Sequence, residues 1–86
     1  MLELKDLHPD WKIENQILKR RFTFKAYFKM LGFVQTVGWQ AMKCNHHPEF
    51  WVGFNVCDVM MTTHDEGNTV TQKDFELALE IDRLYF

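Results

Sequence analysis

Two adjacent histidines, His46 and His47, stand against Pro48, and a third, His64, follows seventeen positions after His47. Imidazole titrates nearer neutrality than any other side chain, so it both gives and takes protons there. Two imidazoles on opposite sides of a bound molecule perform general acid–base chemistry, worth about 10²–10⁴ in rate. The same residues admit a metal reading, since catalytic zinc commonly takes three protein ligands. That reading needs the adjacent side chains turned the same way, and the chain carries no His-Glu-x-x-His and no cysteine at ligand spacing. The plain structural reading makes one of the pair a helix C-terminal cap. It accounts neither for the second histidine nor for His64. The fourth, His8, precedes Pro9 in a polar turn and reads as solvated. Phe50, Trp51 and Phe54 lie close by in sequence and offer flat faces for a heterocycle.

The elements that must position these residues follow from periodicity. Trp11 and Ile13, then Ile17 and Leu18, flank Glu14-Asn15-Gln16. This predicts a hairpin with Asn15 in its turn, its second strand running to Phe22 or Phe24. From Ala26 to Lys43 the apolar period changes to three and four, through Tyr27, Phe28, Leu31, Val34, Gly38, Ala41 and Met42, which predicts a helix. Gly32 and Gly38 each cost about 1 kcal/mol against alanine in a helix interior, and predict close approach of another element. Asn45 and Pro48 bracket the helix end. Phe50, Val52, Phe54 and Val56 alternate as one strand, and Asp58–His64 reads as the next, with Val59, Met61 and Thr63 on one face. Asp65-Glu66-Gly67-Asn68 is a loop. Thr71-Gln72-Lys73-Asp74 has the form of a capping box, opening a helix to about Leu84. This helix carries two apolar stripes, Phe75-Ala78-Leu79 and Leu77-Ile81-Leu84-Tyr85, one for the sheet and one for a neighbouring subunit. Four strands and two long helices make an α+β fold.

Composition sets the outer bounds. At 86 residues the chain is read as one domain, 1–86, small enough to gain from oligomerisation. A net charge of −2 argues against phosphate-backbone binding, so no direct nucleic-acid partner is expected. Cys44 and Cys57 make no framework and read as free thiols in a reducing compartment. The charged start Met1-Leu2-Glu3-Leu4-Lys5-Asp6 is no secretory signal, and no apolar run reaches the roughly 20 residues of a membrane span. The expected compartment is the cytoplasm or nucleus, with no membrane partner.

The pattern as a whole resembles the pterin-4a-carbinolamine dehydratases. The family motif reads acid-x-x-x-His-His-Pro, an aromatic six residues after the proline, nine residues to a third histidine, and an aspartate about nine residues beyond. Here those positions are His46-His47-Pro48, Phe54, His64 and Asp74. Phe22-x-Phe24-x-x-Tyr27, Thr62-Thr63-His64 and Trp11 before the hairpin also match. The resemblance implies a four-stranded antiparallel sheet with two long helices, and a short N-terminal helix, on one face. It implies assembly as homodimers or homotetramers, and in some members a helix-mediated protein partner, a homeodomain transcription factor. The implied reaction dehydrates 4a-hydroxytetrahydropterin to quinonoid dihydropterin, with no metal and no redox cofactor, in recycling the cofactor of aromatic amino acid hydroxylases. By resemblance His46 and His64 are the acid–base pair and His47 binds and orients the pterin. Trp11, Asn45, Pro48, Glu49, Phe50, Phe54 and Thr63 line the substrate site. Asp74 is a further candidate, although as the third residue of its helix it also serves as a cap. The motif's acid four residues before the first histidine is Met42 here, and Asn45 stands where an acid often precedes the pair. The loss of both carboxylates predicts an activity optimum at lower pH than in relatives that keep them, or weaker general-acid function.

Overall fold

The computed structural model describes residues 1–85. A short 3-10 turn, Leu4–Asp6, leads into strands β1 (Lys12–Glu14) and β2 (Ile17–Thr23) and helix α1 (Tyr27–Cys44). Strands β3 (Glu49–Val52) and β4 (Val56–Met61), a 3-10 turn at His64–Glu66 and helix α2 (Gln72–Leu84) complete the order. The sheet is antiparallel throughout, in the order β1-β2-β4-β3, so β1 and β3 are its edges.

The first hairpin closes as expected. Glu14 pairs with Ile17, leaving Asn15 and Gln16 as a two-residue loop, both at positive φ (51° and 65°). A loop of this length matches the sheet twist only with two left-handed residues, and Asn tolerates that region well. The second hairpin corrects the reading of 50–56 as one strand. β3 stops at Val52, and the chain turns through Gly53, Phe54 and Asn55, with the Gly53 N–H bonded to the Val56 carbonyl at 2.9 Å. A Cβ on Gly53 would lie 2.9 Å from the Val56 side chain and 3.0 Å from the Trp51 ring, so the turn requires glycine.

Strand alternation builds one buried face. Leu18, Arg20 and Phe22 of β2 and Cys57, Val59 and Met61 of β4 point inward. Met30, Phe33, Val37 and Ala41 of α1 and Leu77, Ala78 and Ile81 of α2 complete the core with them. This differs from the helix face read from sequence. Tyr27, Phe28, Leu31 and Met42 are exposed, while the stripe Met30-Phe33-Val37-Ala41 is buried. Nothing lies within 4 Å of a Cβ placed on Gly32 or Gly38, so within this chain neither marks a close approach. The two stripes of α2 are both engaged at home. Leu77 and Ile81 are buried, and Phe75, Leu79, Leu84 and Tyr85 pack half-buried against the core. Further exposed apolar surface lies on α1 and the edge strand β3.

Trp11 is sealed at 1% exposure, edge-on to Phe22, with its indole N–H donating to Asp82 at 3.0 Å. Asp82 also accepts from Arg20 at 2.8 Å, beneath the Phe22 ring. No helix among the described residues is long and apolar enough to cross a membrane.

Candidate active site

Two backbone devices bring the histidines together. Asn45 takes the left-handed conformation (φ 51°, ψ 40°) that ends α1, and the His46 N–H bonds back to the Ala41 carbonyl at 3.2 Å. This is the closure that Asn or Gly favours after a helix. The His46 side chain is thereby free of capping and turns toward the start of α2. There the capping box is formed as expected: the Thr71 N–H donates to Asp74 Oδ2 at 2.9 Å.

Asp74 is fully buried at 0% exposure. A buried carboxylate must be satisfied by donors. It accepts from the Thr71 N–H, from the Thr63 hydroxyl at 2.7 Å and from His46 Nε2 at 2.6 Å. With the Thr63 proton committed to Asp74, the Thr71 hydroxyl supplies the hydrogen of the 2.7 Å Thr63–Thr71 contact. Because the carboxylate accepts, His46 carries its hydrogen on Nε2 and leaves Nδ1 for another partner. Asp74 is thus both cap and histidine partner. Met42 itself faces an apolar groove with Trp39 and Phe50.

His64 opens the 3-10 turn after β4, whose end is held by the Thr63–Thr69 bridge and by Gly67 at φ 81°. Its Nδ1 contacts the Asn68 amide oxygen at 2.6 Å, so Nδ1 bears the hydrogen and Nε2 is free. A cleft of about 160 Å³ lies between these segments, bordered by Asn45, His46, His47, Thr63 and His64. Thr62, Asp65 and Lys73 also line it and are not among the site residues expected from sequence. Lys73 was legible as the residue before Asp74 in the first turn of α2.

Apart from Thr63, the other expected residues stand away from this cleft. Trp11 is a core residue whose polar atom is already used, so it does not line the site. Thr63 backs the cleft, but its hydroxyl is spent on Asp74 and Thr71. Pro48 and the exposed Glu49 follow His47 into β3, where Glu49 pairs with Met60. Phe50 is half-buried against α1 in the groove beside Met42. Trp51 faces the sheet's outer side over Arg21. Phe54, 76% exposed, sits at the far tip of the β3–β4 hairpin, stacked on Tyr27. The pleat and the hairpin turn together carry these aromatics away from the histidines of their own chain.

Among the described residues no three His, Cys, Asp or Glu side chains converge as metal ligands do. Elsewhere, hydrogen bonding to Arg21 holds the Asp58 carboxyl below the usual carboxylate range. Burial pushes the Cys57 thiol up to about 11.

Residues 2–84 match the family model described as pterin 4 alpha carbinolamine dehydratase. A Legionella pneumophila (strain Lens) protein is 40% identical over 83 residues, covering 94% of this chain and 73% of its own length. A Nitrosomonas eutropha protein is 37% identical over 81 residues, with 94% and 71% covered. Both carry names that assign them, provisionally, to the pterin-4-alpha-carbinolamine dehydratases. The crystal structure of a Brucella melitensis transcriptional coactivator/pterin dehydratase superposes with a TM-score of 0.89 at 30% identity, covering 96% of this chain and 88% of that one. A pterin dehydratase-like RuBisCO assembly factor of the alpha-carboxysome shares the fold at 19% identity, TM-score 0.75, with 90% of each chain covered. The chain belongs to the pterin 4 alpha carbinolamine dehydratase family.

Proposed function

We propose that this protein dehydrates 4a-hydroxytetrahydrobiopterin to quinonoid dihydrobiopterin and water, with His46 as base and His64 as acid. The observation that carries this reading is the meeting of His46 and His64 on one cleft, with Asp74 behind His46. With Nε2–H given to Asp74, His46 Nδ1 takes the proton from N5 of the pterin. The N5 electron pair then forms the C4a=N5 bond and expels the hydroxyl from C4a. His64, held at Nδ1 by Asn68, enters the step as the imidazolium with hydrogens on both nitrogens, donates from Nε2 to that hydroxyl, which leaves as water, and is left neutral. One proton is gained and one lost, so exchange with solvent resets both rings. The buried Asp74 stabilises positive charge as it develops on His46, the role of the carboxylate in a catalytic triad. The exposed His47 orients the pterin. The step requires no metal, no redox cofactor and no nucleic acid, and its place is tetrahydrobiopterin recycling in the cytoplasm.

The test is a rapid dehydration assay on freshly generated 4a-hydroxypterin. His46→Ala and His64→Ala each lower kcat by about 10²–10⁴ while the protein stays folded. Dehydration no faster than with free imidazole refutes the enzyme reading.

A binding role is the second reading, favoured by the exposed stripe Phe28, Leu31, Trp39 and Met42 of α1 beside the edge strand β3. We assign this surface first to self-assembly as a homodimer or homotetramer. Sedimentation as a stable tetramer supports that assignment, whereas a monomer–dimer mixture favours a foreign, coactivator-type partner.

A further inference from the structure

Residues 2–11 form a strap along α2, tied to it at both ends. At one end the Leu2 N–H donates to Gln72 Oε1 at 2.8 Å, and Gln72 Nε2 donates to the Leu2 carbonyl at 2.5 Å. Gln72 is the first residue of α2. At the other end the Trp11 indole N–H donates to Asp82, in the last turn of the same helix. From the rise per residue of an α-helix, the two ties lie roughly 15 Å apart along it. Between them the strap is stiffened by the 3-10 turn Leu4–Asp6, where the Glu3 N–H donates to Asp6, and anchored by the buried Leu7. A side-chain amide presents an acceptor and a donor side by side, and Gln72 turns both on one backbone residue. This clasp stands at the part of α2 that most needs one. Helix ends fray, and the fully buried apolar residues of α2, Leu77, Ala78 and Ile81, begin more than a turn beyond Gln72. Asp74, the partner of His46, lies between the clasp and that core.

We propose that Gln72 is a positioning residue: by clasping Leu2 it keeps the first turn of α2 closed, and so keeps Asp74 where it orients His46. Gln72 does not border the histidine cleft, so its influence passes through Asp74. Its effect on rate rests on the dehydratase reading of the cleft, whereas its hold on the His46 ring does not. Without the clasp the capping box alone closes the first turn, and each opening of that turn releases the carboxylate from the ring.

The test uses the intact chain with Gln72→Ala, Leu2→Pro and both together. Gln72→Ala removes both hydrogen bonds; Leu2→Pro removes the N–H and leaves the carbonyl. Neither residue is part of the buried core, so the variants fold. The first readout is hydrogen exchange of the Asp74 and Phe75 amides, both bonded to the Thr71 carbonyl, against that of Ile81 in the middle of the helix. The second is exchange of the His46 Nε2 hydrogen by nitrogen NMR, and the third is dehydration kinetics. In Gln72→Ala the two first-turn amides and the ring hydrogen exchange about tenfold faster, the upper size of one net hydrogen bond, while Ile81 is unchanged. The kcat falls about tenfold with KM within twofold, because displacement of a catalytic group acts on the chemical step. Leu2→Pro gives a smaller change of the same pattern, and the double variant matches Gln72→Ala, since both changes break one contact. Faster exchange spread equally over Asp74, Phe75 and Ile81 marks a general loss of stability and overturns the proposal. Additive losses in the double variant overturn it too, as does a kcat within twofold of the unmodified chain. If the unmodified chain does not accelerate dehydration, the dehydratase reading fails by itself, and faster exchange of the His46 ring hydrogen in Gln72→Ala still supports the hold of Gln72 on that ring.

Discussion

Replacing Asp74 by Asn tests the link between the cap and the histidine. Asp74 makes three contacts: Oδ2 takes the Thr71 N–H and the Thr63 hydroxyl, and Oδ1 takes His46 Nε2. An asparagine amide has one oxygen and one NH₂. Two of the donors converge on the Oδ2 position, so the amide oxygen settles there and the NH₂ faces His46. Nε2 must then accept, and the ring hydrogen moves to Nδ1, the atom that takes the N5 proton. The histidine keeps its place but presents the wrong tautomer. In a serine-protease triad the same exchange costs about 10⁴ in kcat; a loss of about 10²–10⁴ is expected here, with KM changed less than threefold. The cap oxygen is preserved, so stability should fall by only about 1 kcal/mol. Asp74→Ala instead strands the buried Thr63 hydroxyl, at about 1–3 kcal/mol, and two partly buried donors besides, a large share of the stability of so small a domain. The assay is dehydration kinetics beside nitrogen NMR of the imidazoles. Activity within threefold of the unmodified chain while the His46 hydrogen moves to Nδ1 would refute the reasoning.

Other perturbations probe the frame. Leu77→Ala, at a fully packed position between α2 and the sheet, should cost about 2–5 kcal/mol in urea denaturation. At pH 8 iodoacetamide should modify the exposed Cys44 and spare Cys57, whose thiol is buried and pushed up to about 11, until denaturant opens the core. The Asp58 carboxyl is held low by Arg21, so its contribution is full above the unfolded carboxylate pKa and is lost as pH falls through the folded value. Asp58→Asn should therefore lower stability at pH 7, by no more than about 1 kcal/mol for this surface pair, and the effect should shrink as pH falls through the folded value.

The parts of the fold that show in the sequence are those where local chemistry and global packing agree. The Asn15 hairpin, both helices and the Thr71–Asp74 capping box are of this kind. The β3–β4 turn is hidden because Phe50, Val52, Phe54 and Val56 keep a two-residue alternation across it. Gly53 and Asn55 were the turn signal, overridden by the aromatics between and around them. The buried face of α1 is hidden for another reason. Two neighbouring stripes are apolar, and the exposed one holds the bulkier residues, including Phe28, Leu31 and Trp39. Periodicity shows that a helix is amphipathic but cannot rank two apolar faces. The cleft was legible as its three histidines, whereas the expected aromatic lining of Phe50, Trp51 and Phe54 lies elsewhere in this chain, because motif spacing carries no information on which side of a sheet a residue falls.

One economy explains why Asp74 is hard to classify from sequence. The carboxylate that closes the first turn of α2 also fixes His46 at the end of α1, while Thr63, at the end of the β4 segment, fixes the carboxylate. Three elements distant in sequence therefore meet at one buried anion. Movement of either oxygen would leave at least one of the three donors unsatisfied, so the position of the His46 ring inherits the rigidity of the helix start. A histidine on a loop gains helix-grade placement in this way, without a regular element of its own. The arrangement also ties folding to the site: loosening the N-terminus of α2 frees His46 at the same time. Stability and proton-transfer geometry should thus decline together when Thr63 or Thr71 is altered, and separate only where the anion's shape is kept and its charge removed.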